Sequence, residues 1–306
     1  MSHAAAIQSA QTVAALRAAV SNETALAVAC EDRLAKYFIG LRERILTAAL
    51  PQSLIRWALE RAAPGSYGFA IARTRCFDEA LLAEAAHGIQ QVVILGAGYD
   101  SRALRFRREL KNVRVFEVDH PGTQARKLGI LLRAVRDIPK NVHYIPVDFN
   151  HGPLDSELAK NGFSRNRRTL FLWEGVSYYL PHQVVAQILR FVSGCAPGSS
   201  IIFDYALQQF VGGDTSTYGG EHVARWLRKI GESFVFGLDP HEAPDFLAEC
   251  GLQPIYDIGP EDAESRYLTR KDGRILGRTL GHVRIVHARN GAARHVEPTT
   301  SRSGRP

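Results

Sequence analysis

The sequence predicts a doubly wound α/β fold, built around a mostly parallel sheet of seven strands. From residue 91 onward, short and continuous apolar runs recur, which is typical of strands that are buried on both faces of a sheet. Longer helix-like segments separate these runs. Strands that alternate with helices form βαβ units, whose right-handed crossovers make the strands parallel and place helices on both faces.

The first part of the chain predicts helices, and the middle part predicts the sheet. Residues 10–85 are rich in Ala and Leu and are interrupted at Pro51 and at Pro64. Five strands are then predicted in chain order, at residues 91–95, 113–118, 142–147, 170–173 and 200–203. Three helices are predicted between them, at residues 101–110, 123–135 and 182–194.

The alternation of predicted strands and helices becomes less regular after Asp204, where paired glycines flank a helix-like segment. We predict that residues 208–240 form an insertion that covers the sheet as a lid. A further helix and two late strands would then add an antiparallel edge, at residues 241–250, 252–258 and 281–288. The predicted organisation is an N-terminal helical region that contributes to the cofactor and substrate site, a Rossmann-like core with its lid, and a disordered tail, at residues 1–85, 86–288 and 289–306.

The composition excludes several function classes. Part of the net charge of +7 comes from arginines after residue 288, and no basic stripe is interleaved with aromatic residues, so we expect no nucleic-acid partner. The four cysteines are scattered without a CxxC pair, which predicts buried thiols in a reducing compartment and no disulfide or metal site. No apolar run approaches ~18 residues and no secretory signal is present, so we expect a cytoplasmic protein without a membrane partner. The oligomeric state is not predicted.

The sharpest local feature is a glycine turn, Gly96-Ala97-Gly98, directly after the first predicted strand. Glycines allow a tight turn and let backbone N–H groups approach a ligand at the start of the next helix. The second predicted strand ends in Asp119, whose carboxylate can accept hydrogen bonds from both hydroxyls of a ribose. Together these features predict a nucleoside-containing ligand at the carboxyl ends of the strands.

The residue that follows the turn favours one class of nucleoside cofactor. The dinucleotide fingerprint requires a third glycine, so that the helix packs closely and its N-terminus meets the pyrophosphate. Ser101 occupies that position here. S-adenosylmethionine carries no phosphate and does not require this glycine, so the sequence favours S-adenosylmethionine over NAD.

Five sequence blocks support a family resemblance: Ala72–Asp78, Gln91–Phe106, Val115–Pro121, Tyr144–Phe149 and Phe171–Pro181. On these blocks the chain resembles the leucine carboxyl methyltransferase-like group of class I S-adenosylmethionine-dependent methyltransferases. That group includes bacterial O-methyltransferases linked to polyketide biosynthesis. The resemblance spans roughly residues 70–205, and it implies a Rossmann-like fold and S-adenosylmethionine as the cofactor.

The resemblance also implies roles for the arginine block. Arg73, or less favourably Arg75, would pair with the methionyl carboxylate of the cofactor, because the planar guanidinium binds a carboxylate through two parallel hydrogen bonds. A helix-surface ion pair to Asp78 or Glu79 is the alternative for such an arginine.

The other matched blocks would surround the nucleoside. Gly96, Ala97 and Gly98 would lie against the cofactor, and Asp119, with His120 beside it, would hold the ribose. In the fourth block, Asp148 would accept a hydrogen bond from the adenine amino group, and Phe149 would cover the ring. An aspartate at a strand end is also a common helix cap, so that alternative stays open for Asp148.

The WEG block would form the methionyl end of the site. Glu174 could hold the ammonium group of the cofactor. Trp173, Tyr178 and Tyr179 would shape the wall around the methyl group, although two adjacent tyrosines on a helix cannot both face the site. Asp204, at the end of the fifth predicted strand, would either touch the substrate or end the strand. Glu174, Tyr178 and Asp204 are thus the catalytic candidates.

The predicted reaction is O-methylation of a carboxyl or phenolic hydroxyl on a small, polyketide-like acceptor. A carboxylate needs no base, whereas a phenol with a pKa near ~10 benefits from one, and the sequence nominates none. A protein acceptor, as for the name-giving member of the family, stays open. So do an NAD(P)-dependent oxidoreductase, for which Tyr267 and Lys271 supply a YxxxK spacing, and a nucleoside-binding protein without catalysis. Because that spacing lies in a charged stretch between the two late strands, we predict that it is a solvated connection.

Overall fold

The structure, a computed structural model, describes residues 3–135, 137–147 and 154–291. Within these residues the chain forms eight strands: β1 (Gln91–Leu95), β2 (Arg114–Asp119), β3 (Val142–Pro146), β4 (Thr169–Trp173), β5 (Ser200–Leu207), β6 (Gly237–Leu238), β7 (Leu252–Ile258) and β8 (Val283–Asn290).

The helices of the described residues surround the strands in chain order. They are α1 (His3–Val20), α2 (Leu41–Ala49), α3 (Gln52–Ala62), α4 (Ser66–Ala86), α5 (Arg102–Arg105), α6 (Pro121–Ala134), α7 (Leu154–Lys160), α8 (His182–Ser193), α9 (Gln208–Val211), α10 (Gly220–Ile230), α11 (Ala243–Glu249) and α12 (Pro260–Tyr267). Short 3₁₀ helices lie at Ala35–Phe38 and Ser177–Tyr179.

The strands form one sheet in the order β3-β2-β1-β4-β5-β8-β7, and the two-residue strand β6 pairs with the end of β5. Strands β1 to β5 are parallel, whereas β8 runs antiparallel to both β5 and β7. The predicted fold class, a doubly wound and mostly parallel sheet of seven main strands, is therefore confirmed. The strand order reverses between β1 and β4, and ligands of such sheets bind at the carboxyl ends beside this reversal.

Both faces of the sheet are buried, which explains the continuous apolar runs. Every residue of β1 and of β4 is buried. On one face Phe171 and Phe203 pack with side chains of α8 and α11, and on the other face Val92 and Leu172 pack with side chains of α4. This two-sided burial holds the carboxyl ends of β1 and β4 in a fixed position, where the glycine turn and Glu174 follow them.

The N-terminal helices join the core through two smaller apolar clusters. Val20 at the end of α1 packs with Tyr67 and Ile71 of α4, and Ala14 packs near Phe38 and the glycine-turn residue Tyr99. Helix α1 therefore lies over the carboxyl ends of the central strands.

The predicted lid region contains α9, α10 and β6. Phe210 of α9 stacks on His282, with ring centroids 4.0 Å apart and planes 17° apart. The hydroxyl of Tyr218 donates a hydrogen bond to Glu60 at the end of α3. The region is thus attached both to the sheet and to the N-terminal helices.

The structure corrects several predicted boundaries. The helix predicted at 101–110 is limited to α5, and residues 106–111 continue as hydrogen-bonded turns, so only part of the helical pattern is realised. Strand β5 continues past Asp204 to Leu207, because β8 and β6 supply partners for its last residues. Strand β8 ends at Asn290, two residues beyond the predicted boundary at 288, and residues 292–306 lie outside the described part.

The stretch around Tyr267 also differs from its prediction as a solvated connection. It contains α12, and Tyr267 is completely buried against α4. Lys271 lies in the turn after the helix, and its backbone N–H donates to Ala25. The YxxxK spacing therefore belongs to a packed structural element away from the carboxyl ends of β1 and β4.

The buried imidazole of His282 predicts a specific pH dependence of stability. Burial lowers the pKa of His282 to about 4, from an ordinary value of 6.5. The folded state holds the His282 ring in its neutral form. The contribution of this ring to the free energy of unfolding is therefore complete above the unfolded-state pKa and is lost as the pH falls toward 4. We expect the free energy of unfolding to fall by about 2–3 kcal/mol more in the wild type than in His282→Phe between about pH 7 and pH 4.5.

Urea denaturation of both proteins across that pH range measures this difference. Phenylalanine keeps a ring against Phe210 and cannot titrate, so it serves as the matched variant. An identical pH dependence in the two proteins would contradict the buried neutral state of His282.

Candidate functional site

A cavity of about 170 Å³ lies at the carboxyl ends of β1 and β4, beneath α1. Its walls come from α1, α4, the glycine turn, the end of β2 and the loop after β4. It brings together these predicted site residues: Arg73, Gly96, Ala97, Gly98, Asp119, His120, Glu174 and Tyr179. Residues that are far apart in the sequence therefore share one surface at the position that the strand reversal predicts.

The glycine turn has a backbone conformation that other residues rarely adopt. Gly96 and Gly98 have φ angles of +65° and +45°. A Cβ atom on Gly96 would stand 2.5 Å from Cγ2 of Val176, so a side chain at this position would clash with the loop after β4. The turn therefore needs glycine both for its left-handed φ angle and for the close approach of two loops.

Asp119 holds the glycine turn against the end of β2. Its Oδ2 accepts a hydrogen bond from the Gly98 N–H at 2.5 Å, and its Oδ1 accepts one from the His120 N–H at 2.6 Å. Burial raises the pKa of Asp119, although these two N–H groups partly oppose the rise. Each oxygen keeps a further lone pair, so the carboxylate can still accept hydrogen bonds from ligand hydroxyls.

A buried ion-pair chain crosses the base of the cavity, and Arg73 is its first member. Nε of Arg73 lies 3.2 Å from Oε1 of Glu174, and Nη1 lies 3.0 Å from Oδ2 of Asp204. Asp204 also accepts a hydrogen bond from the Gly175 N–H at 2.7 Å. Burial alone would lower the pKa of Arg73, but Glu174 and Asp204 raise it above its ordinary value.

Arg102 continues the chain on the other side of Glu174. Its Nη1 lies 2.7 Å from Oε2 of Glu174 and also contacts Asp100, and its Nε donates to Asp78 at 2.7 Å. Burial would raise the pKa of Glu174, but Arg102 and Arg73 hold it below its usual value. Burial would likewise raise the pKa of Asp100, but Arg102 lowers it to about 2. Glu174 is therefore ionised at neutral pH.

Helix α1 contributes a third arginine that the sequence did not indicate. Arg17 lines the cavity, and its Nη2 donates a hydrogen bond to the carbonyl of Tyr99 at 2.5 Å. Its Nε lies 3.6 Å from Oδ2 of Asp32. An arginine in an Ala-rich helical segment carries no local signal of a site. Arg102 did carry one, because it follows the glycine turn within a matched block.

Several cavity atoms lack a well-aligned hydrogen bond. Among the described residues, Nε of Arg17, Nε of Arg73 and Oε2 of Glu174 are buried atoms without such a bond. Each of them lies within 4 Å of an opposite charge, on Asp32, Glu174 and Arg102 respectively. Two guanidinium donors and one carboxylate acceptor complement a ligand that carries both a carboxylate and an ammonium group, and the amino-acid end of S-adenosylmethionine has this chemistry.

The structure places other predicted residues outside the cavity wall. Arg75 forms an ion pair with Glu79 at 3.4 Å and donates to the carbonyl of Tyr267, so it lies on another face of α4. Trp173 is fully buried in the core beside Phe203. Asp204 lies beneath Arg73, within β5.

Of the two adjacent tyrosines, Tyr179 lines the cavity and Tyr178 does not. Both rings pack on Phe234, with ring centroids 4.1 Å away for Tyr178 and 5.2 Å away for Tyr179. Asp148 and Phe149 lie outside the described residues.

The described residues also bear on other ligands and environments. They contain no group of three or more His, Cys, Asp or Glu side chains that is arranged to hold a metal ion. No helix in the same part of the chain is long and apolar enough to cross a bilayer. All four cysteines are buried thiols without a disulfide partner.

Comparison with known proteins gives the same assignment as the site. The model of the family "Leucine carboxyl methyltransferase" matches residues 10–193. The chain belongs to the leucine carboxyl methyltransferase family. The resemblance predicted from the five sequence blocks is thereby confirmed, and the match extends it through the N-terminal helices.

Named relatives are similar to the chain in sequence, and a solved structure is similar to it in fold. The chain is 30% identical over 239 residues, 77% of each protein, to "Putative S-adenosyl-L-methionine-dependent methyltransferase YktD" of Bacillus subtilis (strain 168). It is 28% identical over 219 residues to a protein of the same description, Rv3787c of Mycobacterium tuberculosis (strain ATCC 25618 / H37Rv), covering 71% of this chain and 65% of that one. The crystal structure of a "putative methyltransferase" from Thermobifida fusca YX has a similar fold, with a TM-score of 0.54 at 17% identity, over 91% of this chain and 94% of that one.

The close approach at Gly96 predicts the effect of adding one methyl group there. Gly96→Ala would force a Cβ into Val176 at a left-handed φ angle, so we expect a loss of stability of about 1–3 kcal/mol. Gly129→Ala is the control, because Gly129 lies in α6 with no atom within 4 Å of a new Cβ. That variant should be neutral or stabilised by about 0.4–1 kcal/mol.

Thermal and urea unfolding of the two variants measure the difference. Equal stabilities for Gly96→Ala and the wild type would contradict the tight contact between the glycine turn and the loop after β4.

Proposed function

We propose that this chain transfers the methyl group of S-adenosylmethionine to an oxygen atom of a small-molecule acceptor, either a carboxylate or a phenolic hydroxyl. The observation that carries the proposal is the cavity wall that contains Arg73 and Glu174, two opposite charges fixed side by side at the carboxyl ends of β1 and β4. A neutral or purely anionic ligand would not use both charges. Family membership and the names of the relatives support the same cofactor.

Each cavity residue has a defined task in the proposed complex. Arg73 would bind the methionyl carboxylate, and Glu174 would bind the ammonium group. Asp119 would accept hydrogen bonds from the ribose hydroxyls, and the turn at Gly96 and Gly98 would let the adenosine approach the backbone. The roles of the residues at 148 and 149 toward the adenine ring stay as predicted from the sequence.

Arg17 and Asp204 support these contacts in different ways. Arg17 adds a second cation near the methionyl carboxylate, carried on the helix that covers the cavity. Asp204 positions Arg73, because one carboxylate oxygen contacts the guanidinium while the other is fixed by the Gly175 N–H. We therefore assign Asp204 to positioning and not to contact with the acceptor.

The proposed methyl transfer requires little proton transfer by the protein. When bound, S-adenosylmethionine would supply an electrophilic methyl group to the acceptor oxygen, with loss of the carbon–sulfur bond and release of S-adenosylhomocysteine. The residues of the chain then need to align the acceptor and exclude water. Helix α1 excludes water from one side, and Val176 and Leu180 form the opposite wall.

The part of the cavity wall where we place the acceptor is formed by aromatic side chains. Tyr179 lines the cavity and meets Tyr178, which packs on Phe234 from the lid region. Burial, together with Asp204, raises the pKa of Tyr178 well above its ordinary value, so this hydroxyl stays protonated and cannot serve as a base near neutral pH. The aromatic wall suits a planar or apolar acceptor, and a carboxylate on such an acceptor would need no base.

The oxidoreductase alternative is not favoured. Tyr267 is fully buried in α12 beside Arg75 and Glu79, and the pKa of its hydroxyl is raised by burial. It does not line the cavity, so the YxxxK spacing supplies no hydride-transfer site there.

Neighbouring arginines of α4 provide a matched test of the methionyl contact. Arg73→Ala should weaken S-adenosylmethionine binding by about 10- to 100-fold, because a charged hydrogen-bonded partner of the carboxylate is lost. Arg75→Ala should leave the affinity unchanged, because Arg75 faces Glu79 and Tyr267. Isothermal titration measures both, and Arg73→Lys reports whether charge without the planar guanidinium suffices.

The reverse order of effects, with Arg75→Ala the weaker binder, would contradict the assignment. Removal of Arg73 leaves Asp204 buried without its cation, which can lower the stability of the variant. Unfolding curves of each variant therefore distinguish a lost ligand contact from a loss of the folded state.

The acceptor class can be read from the stability of the methylated product. We expect transfer of label from methyl-labelled S-adenosylmethionine to aromatic carboxylic acids or phenols in a screen of small molecules. Esters release methanol in mild alkali, whereas aryl methyl ethers do not, so one alkaline treatment assigns the oxygen. Label that appears only on protein or on nitrogen would contradict the proposed small-molecule O-methylation.

A further inference from the structure

Helices α2 and α3 stand apart from the packed body of the protein. No residue of α2 is buried, and in α3 only Ile55 is buried. A helix gains most of its stability by packing an apolar face, so a helix with apolar side chains and no buried residue calls for a partner surface.

The exposed side chains of these helices are largely apolar. Six of them, between 39% and 71% exposed, form what we call the elbow surface: Leu41, Ile45, Leu46, Leu50, Leu54 and Trp57. They occur within seventeen residues, on both sides of the bend at Pro51. Two pairs within one helix, Leu41 with Ile45 and Leu54 with Trp57, have the i,i+4 or i,i+3 spacing that places side chains on one helix face. An apolar area of this kind on a protein surface marks an interaction site.

The charge around the elbow surface is positive. Residues 33–61 contain six basic and two acidic side chains. Within the part of the chain that the structure describes, no ion pair joins Lys36, Arg42, Arg44 or Arg61 to an acid. Of the two acids, Glu60 is engaged by Tyr218, and Glu43 is exposed on α2.

A groove beside α2 extends this cationic border. Leu41 and Ile45 line the groove together with Lys36, Arg44 and Lys271. The acids that also line it, Glu23, Glu31 and Asp32, form ion pairs with Arg56, Arg33 and Arg17. The same strip of the molecule therefore presents aliphatic side chains and cations together.

We propose that the elbow surface docks the protein on an anionic lipid bilayer. Helices that lie in a membrane interface combine leucine and tryptophan on one side with Lys and Arg on the other. Anionic headgroups attract the basic residues, while the leucines and Trp57 enter the boundary between headgroups and acyl chains. Such docking requires no spanning helix.

The charges favour a bilayer over a second copy of the chain. A symmetric dimer through the elbow surface would bring the unpaired Arg42, Arg44 and Arg61 of both copies together, and like charges at an interface oppose association. An anionic leaflet meets the same residues with opposite charge.

Vesicle flotation of the full chain tests the proposal. We expect binding to phosphatidylcholine vesicles that contain phosphatidylglycerol, at least tenfold weaker binding to phosphatidylcholine alone, and loss of binding at high salt, where surface charges are screened. Trp57 is the exposed tryptophan of the described chain, so its fluorescence should shift to shorter wavelength on the bound vesicles and not in Trp57→Phe.

Two double variants locate the surface. Leu41→Ser with Ile45→Ser should reduce vesicle binding at least tenfold. Leu132→Ser with Ile255→Ser should bind as the wild type does, because these side chains are similarly exposed elsewhere, at 71% and 44%. Both variants should keep wild-type S-adenosylmethionine affinity, since none of the four positions lines the cofactor cavity.

Three outcomes would overturn the proposal. The first is the absence of wild-type binding to anionic vesicles, and the second is equal binding by the two double variants. The third is a lipid-free dimer in light scattering that Leu41→Ser with Ile45→Ser dissociates, because the occupant would then be a second copy.

Discussion

The buried ion-pair chain Asp204–Arg73–Glu174–Arg102 is the interaction on which the rest of the site depends. It joins β5, α4, the loop after β4 and α5, which are separate in the sequence and meet only in the fold. Removing two charges from water costs several kcal/mol per ion, and this cost is offset only when each charge meets a well-placed opposite charge. Acids and arginines alternate along the chain, so each arginine lies between carboxylates. The alternation explains why Glu174 stays ionised in a buried place.

The same arrangement is the basis of the proposed cofactor site. Arg73 and Glu174 present one cation and one anion at a fixed spacing, which is complementary to a ligand that carries both charges. The sheet fixes the positions of Glu174, which follows the fully buried β4, and of the glycine turn, which follows the fully buried β1. Helix α1 then covers the site with Arg17. Burial, charge pairing and the reversal of strand order thus act on the same few side chains.

Much of this architecture could be predicted from the sequence, for definite physical reasons. Strands buried on both faces give continuous apolar runs, and the turn at Gly96 must be glycine, so both leave local signals. The partner of Arg73 could not be predicted, because Asp204 reaches it only through the pairing of β4 with β5. Arg17 carried no local signal, since helix α1 meets the cavity through tertiary packing. Helix α12 did carry a local signal in the sequence, because Pro260 followed by acids in the first turn is a common helix start.

The account rests on the claim that this cavity binds S-adenosylmethionine through its charged methionyl end. Parallel isothermal titration of the wild-type protein with S-adenosylmethionine, S-adenosylhomocysteine, NADH and NADPH tests that claim directly. The account predicts micromolar binding of the two sulfur nucleosides, which share the amino-acid end, and no binding of the nicotinamides. Binding of a nicotinamide cofactor without either sulfur nucleoside would contradict it.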